Sequence, residues 1–213
     1  MKKLFNGTLL FSLAIAPGLA NSLALFQGNF ATDNQVALFN ITANTPETLT
    51  IETDSYAGGT LGGTAVPAGG FAPAAFLFDN AGNELILPNG TCGQVGKDPT
   101  TMNCDDIFFQ DVLGPGTFTL ALAVYDNTPV DTSLADGFVQ DSNPGFTCQE
   151  AGTSGSFCDI TSALGASRTG NFAIAISGAD IVVNLPEPGS VFLLLAGAAL
   201  IALLRGRQSF NSR

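Results

Sequence analysis

Hard oxygen donors and thiols are the groups in this sequence whose types and spacing could do chemistry. Asp126, Asp131, Asp136 and Asp141 fall in one loop-like stretch together with Asn127 and Asn143. Ca2+ takes about six to eight oxygens at ~2.3–2.6 Å, and loop carboxylates with backbone carbonyls are its usual source. Asp126, Asn127 and Asp136 are the first candidates to hold it, which makes Ca2+ the one cofactor the sequence offers. The stretch lacks the D-x-[DN]-x-[DN]-G spacing with a distal Glu, and Asp79 to Glu84 lacks the second acid. Solvated turn acids that keep a protein soluble are the plainer reading.

Catalysis is poorly supplied. The chain has no His, which removes Ser-His-Asp and Cys-His nucleophiles and every zinc site that needs imidazole. Paired carboxylates can hydrolyse glycosides without His, given one acid in an apolar pocket and a partner at a set distance. Here Glu47, Glu52, Glu84 and Glu150 are the only Glu before residue 186, and there is no Trp and only Tyr56 and Tyr125 to stack on a sugar. The sequence therefore reads as non-enzymatic. Its 18 acids against 7 bases exclude nucleic acid as a partner, since nothing could neutralise a run of phosphates.

The thiols are Cys92, Cys104, Cys148 and Cys158. No pair has the C-x-x-C spacing of a metal ribbon or knuckle. Three disulfide pairings are possible. The two local ones, Cys92 with Cys104 and Cys148 with Cys158, are the expectation in an oxidising compartment. Each closes a loop of roughly a dozen residues, worth about 3 kcal/mol by chain entropy.

That compartment is indicated by the two ends. Lys2 and Lys3, the apolar run Leu9 to Ala16, and the small residues of Gly18-Leu19-Ala20 follow the order of a secretory signal. Cleavage is expected after residue 20, with Ser22-Leu23-Ala24 as a second site. At the other end Pro186-Glu187-Pro188-Gly189-Ser190 precedes fourteen residues, Val191 to Leu204, without a polar side chain. Arg205, Gly206 and Arg207 follow, arginines that would be held on the cytoplasmic side of a membrane. As a helix this run would span about 21 Å at ~1.5 Å per residue, short of the ~30 Å hydrocarbon core. Its terminal place and its flanks favour a membrane segment over a buried helix.

Pro186, Glu187 and Pro188, the apolar run and the Arg-rich tail resemble the PEP-CTERM sorting signal of Gram-negative bacteria. The resemblance covers roughly the last 28 residues, with the sorting signal at 186–207 and its transmembrane helix at 190–204. It implies processing near Pro-Glu-Pro by an exosortase, transient anchoring in the inner membrane, and delivery to the cell surface or an extracellular polysaccharide matrix.

Between the ends, 17 acids and 2 bases, Lys97 and Arg168, lie from Asn21 to Leu185. Apolar residues there alternate with period two. Phe118, Leu120, Leu122 and Val124 form the clearest strand, and Leu49-Ile51-Thr53 and Phe172-Ile174-Ile176 repeat the pattern. Gln35 to Ile41, Ala74 to Asp79, Glu84 to Leu87, Asp106 to Phe109 and Asp180 to Val183 are further strand candidates. Asp79 to Glu84 and Gly114-Pro115-Gly116 read as hairpin connections, and Ala57 to Gly70 as a long open loop. No window sustains helical spacing. About eight or nine short strands predict an all-β fold over 25–183, an antiparallel β-sandwich or jelly roll.

Phe26-Gln27-Gly28-Asn29-Phe30, Ser55-Tyr56-Ala57-Gly58-Gly59, the stretch from Gly69-Gly70-Phe71 to Phe78-Asp79, Tyr125-Asp126-Asn127, Leu134-Ala135-Asp136-Gly137-Phe138 and Arg168-Thr169-Gly170-Asn171-Phe172 occur in that order. The set resembles the β-sandwich ectodomain of PEP-CTERM exported proteins, which is similar to the bacterial pre-peptidase C-terminal domain. It implies an accessory or binding domain with no established catalytic residues. The expectation is a non-enzymatic exported surface or matrix protein with a structural or adhesive role linked to exopolysaccharide and biofilm. The alternative is a Ca2+-dependent carbohydrate-binding module.

Overall fold

The computed structural model describes residues 22–85, 91–163, 165–178 and 181–184. The signal at 1–20, the sorting residues Pro186, Glu187 and Pro188, and the expected membrane helix at 190–204 lie outside the described residues. Among those described, no helix is long and apolar enough to cross a membrane.

The fold is all-β and its strand pairs are antiparallel. One sheet has the order β1 (Ser22–Asn29), β10 (Asn171–Gly178), β3 (Glu47–Thr53), β8 (Phe108–Leu113). A second has the order β11 (Ile181–Asn184), β2 (Ala37–Ala43), β9 (Gly116–Val124), β6 (Pro73–Phe78), β7 (Glu84–Leu85). A hairpin of β4 (Gly59–Leu61) and β5 (Thr64–Val66) stands apart from both.

Alternation decides which side chains meet. In β2, Phe39, Ile41 and Ala43 are buried while Asn40 is exposed and Thr42 half-buried; in β3, Leu49 and Ile51 are buried between Thr48, Thr50 and Glu52. Of these, Phe39, Ile41, Leu49 and Ile51 join Leu77, Phe109, Leu113, Leu120, Leu122, Ile174 and Ile176 in one cluster drawn from both sheets.

The outward faces of β9 and β10 depart from the apolar-in, polar-out rule, because they carry Ala rather than polar residues. Ala121 and Ala123 lie under Phe78 and Phe138, and Ala173 and Ala175 lie under Leu61. A small side chain on the outer face lets a connecting segment lie flat on the sheet and bury its own apolar residue there.

Several expectations need correction. Ala57 to Gly70 is not an open loop: it contains the β4–β5 hairpin, whose Leu61 is fully buried against β10. Gly114-Pro115-Gly116 is not a hairpin connection, because β8 and β9 belong to different sheets. The strand expected at Asp106–Phe109 starts at Phe108 and runs to Leu113, since Asp106 is engaged by backbone donors of the turn after β3. Strand β1 was not anticipated, and one short helix, α1 (Phe146–Glu150), interrupts a region read as helix-free. Eleven strands are described rather than eight or nine, the added ones being β1 and the short β4 and β5.

Candidate functional site

The four cysteines pair locally, Cys92 with Cys104 and Cys148 with Cys158. Both closed loops carry an acid inside or beside them, and Arg168 holds the two acids together. Its Nη1 donates to Asp98 Oδ2 at 2.9 Å, and its Nη2 and Nε donate to Asp159 Oδ2 at 2.8 and 3.1 Å. Asp98 belongs to the Cys92–Cys104 loop and Asp159 follows Cys158 directly. One guanidinium therefore fastens both cystine loops.

A third element closes the cluster. The guanidinium carbon lies 3.8 Å from the centroid of the Tyr56 ring, and Tyr56 Oη donates to Asp159 Oδ2 at 2.7 Å. Thr101 Oγ1 is 2.8 Å from the same phenol oxygen. Burial works against the charge on Arg168, yet Asp98 and Asp159 outweigh it and hold the group protonated. Burial likewise opposes ionisation of Asp98, but hydrogen bonds from Arg168, Thr101 and Thr100 bring its carboxyl down to about 2. Asp159 is also lowered, with donors from Tyr56, Arg168 and Thr161 overcoming its burial. The Tyr56 phenol is pushed up to about 12, mainly by burial and also by the neighbouring Asp159.

Two further buried carboxylates bind backbone. Asp106 accepts from Tyr56 N at 3.1 Å, Ala57 N at 2.8 Å and Thr53 Oγ1 at 2.9 Å. Burial still raises its carboxyl to about 6. Asp33, fully buried between β1 and β2, accepts from Gly145 N, Thr147 N, Thr147 Oγ1 and Phe157 N. It supplies from over a hundred residues away the oxygens that α1 lacks locally, because its N-cap Gly145 has no side chain. Chemically these acids are acceptors locked onto loops. Among the described residues no buried side-chain polar atom is left without a partner.

Of the residues singled out for Ca2+, one is engaged within the fold and two are exposed. Asn127 is fully buried, its Nδ2 donating to Asn34 O and its Oδ1 accepting from Gln140 N. Asp126 is exposed on the turn after β9, and Asp136 lies in the exposed 3-10 turn Leu134–Asp136. Among the described residues no group of three or more His, Cys, Asp or Glu could hold a metal ion.

A groove of about 770 Å³ opens beside this cluster. Its walls include Ala74, Phe76, Glu84, Asp105, Asp106, Ile107, Tyr125 and Asp126. Tyr125 is 48% exposed there, whereas Tyr56 is completely buried. The sequence treated the two tyrosines alike, and the fold gives them opposite roles.

Sequence reasoning did not find the Arg168 cluster. The available signal was that Arg168 is one of two bases among seventeen acids in the middle of the chain. No family model, curated protein or solved structure matches this chain.

Proposed function

We propose that the chain is a non-enzymatic exported protein of the Gram-negative cell surface or extracellular matrix, with a structural or adhesive role linked to exopolysaccharide. In this reading the two sheets form a β-sandwich of jelly-roll type. The N-terminal 20 residues direct export. Pro186, Glu187 and Pro188 with the apolar run behind them serve an exosortase, which handles the chain while it is held in the inner membrane.

The observation that carries the reading is the Arg168 cluster with its two cystines. Both disulfides close loops that contain or adjoin its acids, an arrangement suited to an oxidising exterior where a protein must keep its loops ordered without chaperones. The buried carboxylates Asp33, Asp98, Asp106 and Asp159 are occupied by backbone, hydroxyl or guanidinium donors, so they support the scaffold.

Deleting 186–213 tests the sorting step. The truncated protein is expected in the medium, and unchanged surface retention overturns the assignment. The competing reading is a Ca2+-dependent carbohydrate-binding module. A glycan array with and without Ca2+ separates the two, since metal-dependent binding would favour the module.

A further inference from the structure

In the groove beside the cluster the acids fall into two kinds, those engaged by the fold and those without a side-chain partner among the described residues. Asp105 Oδ2 accepts from Thr161 Oγ1 and Asn103 Nδ2, and both oxygens of Asp106 are engaged by the turn after β3. Glu84 and Asp126, in contrast, have no side-chain hydrogen bond or ion pair among the described residues. Among the described residues no Lys or Arg lines the groove.

Its lining is mostly polar, with Ala74, Phe76 and Ile107 as apolar members, and the half-exposed ring of Tyr125 stands at the position next to Asp126. Tyr125 takes part in none of the ring stacks or cation contacts found among the described residues. The volume of about 770 Å³ falls in the range of roughly 300–1,000 Å³ typical of ligand clefts. Uncompensated carboxylates in a concave wall focus a negative potential. The apolar side chains among the lining suit methylene stems, and an exposed ring suits the face of a cation.

We propose that this groove binds a basic, extended segment of a partner protein. A Lys or Arg head lies between Glu84 and Asp126, its stem runs along Phe76 and Ala74, and a neighbouring cation covers Tyr125. Charge complementarity selects the partner: with Arg168 buried and paired, Lys97 is the one base left exposed between residues 22 and 178, and it is not among the residues that line the groove. The inference goes beyond the export reading and does not depend on it.

The test is fluorescence anisotropy of a labelled Gly-Arg octapeptide against the full-length chain in non-ionic detergent at low salt. The wild type is expected to bind, and Glu84→Gln with Asp126→Asn to weaken binding at least about fivefold. Tyr125→Ala is expected to weaken it about threefold. Asp136→Asn with Glu150→Gln removes the same charge from exposed positions elsewhere and is expected to change binding less than about twofold. Equal losses in the two double variants, or no binding by the wild type, overturn the proposal. So does competition by spermidine or Ca2+ at concentrations equal to the peptide's, which would make the groove a site for small cations.

Discussion

Arg168 lies with its guanidinium carbon 3.8 Å above the centre of the Tyr56 ring, although 112 positions separate the two in the chain. The contact places the charge of β10's entry segment against the turn that follows β3. Two cystine loops reach the same guanidinium from the other sides through Asp98 and Asp159. Three separate connections, those that follow β3, β7 and α1, are thus held at one point.

Removing that point should be costly. Arg168→Met leaves Asp98 and Asp159 buried without their partner, and breaking such a pair typically costs about 3–5 kcal/mol. Arg168→Lys keeps the charge but loses the forked geometry and the flat face, so it should recover only part of the loss. Urea unfolding of the wild type and both variants measures this. A loss below about 1 kcal/mol in Arg168→Met would mean the cluster is incidental.

Acid should stabilise the fold before it harms it. Burial raises the Asp106 carboxyl from 3.8 to about 6, and Asp54 and Glu52 are raised in the same direction by burial. A folded state that binds the proton more tightly gains stability in full below the ordinary carboxylate value and loses it as pH rises through about 6. Asp98 has the opposite sign: at about 2, its contribution is complete above 3.8 and fades as pH falls towards 2. Stability should therefore be greater near about pH 5 than near about pH 8, by a difference on the order of 2 kcal/mol. Denaturant titrations at both pH values check it, and Asp106→Asn should flatten the difference. An unchanged difference in that variant would remove Asp106 from the account.

The β4–β5 hairpin is held to its sheet chiefly by one side chain. Leu61 is fully buried against Ala173 and Ala175, with Leu25 and Val66 beside it. Leu61→Ala should cost about 2–4 kcal/mol. Limited proteolysis should then cut within residues 59–66 while β3 and β10 stay intact. Resistance equal to the wild type would show that Leu61 does not hold the hairpin down.

The fold of the described residues is held by protein groups at Asn127, and calcium tests whether a metal adds to them. Asn127 is engaged on both amide atoms, by Asn34 O and Gln140 N, so its side chain is already held without a metal. Millimolar Ca2+ is expected to leave Tm unchanged, and chelator likewise. A rise in Tm with Ca2+ would restore the site anticipated at Asp126, Asn127 and Asp136.

Strong periodicity made part of the architecture legible in advance. Phe118, Leu120 and Leu122 alternate without interruption, and β9 is where they predict it. The cystines followed from loop length, because each thiol's partner is close in sequence. Strand β1 was hidden because Ser22-Leu23-Ala24 doubles as a cleavage motif. The β4–β5 hairpin was hidden because glycine dominates it and a single Leu61 carries its burial. The cluster was hidden for a different reason. Asp98 and Arg168 lie 70 positions apart, and no local pattern announces that a charge will be buried. Only the packing of two loops onto one strand end brings them together.

Hydrogen exchange on Arg168→Met tests the central claim most directly. In the wild type, Thr100 N and Thr101 N donate to Asp98 Oδ1, and Thr161 N donates to Asp159 Oδ1. If Arg168 fastens both loops, the variant should lose protection at Thr100, Thr101 and Thr161 together, while amides of β9 and β10 remain slow. Loss confined to one loop, or no loss in either, would contradict the claim that a single guanidinium holds the two.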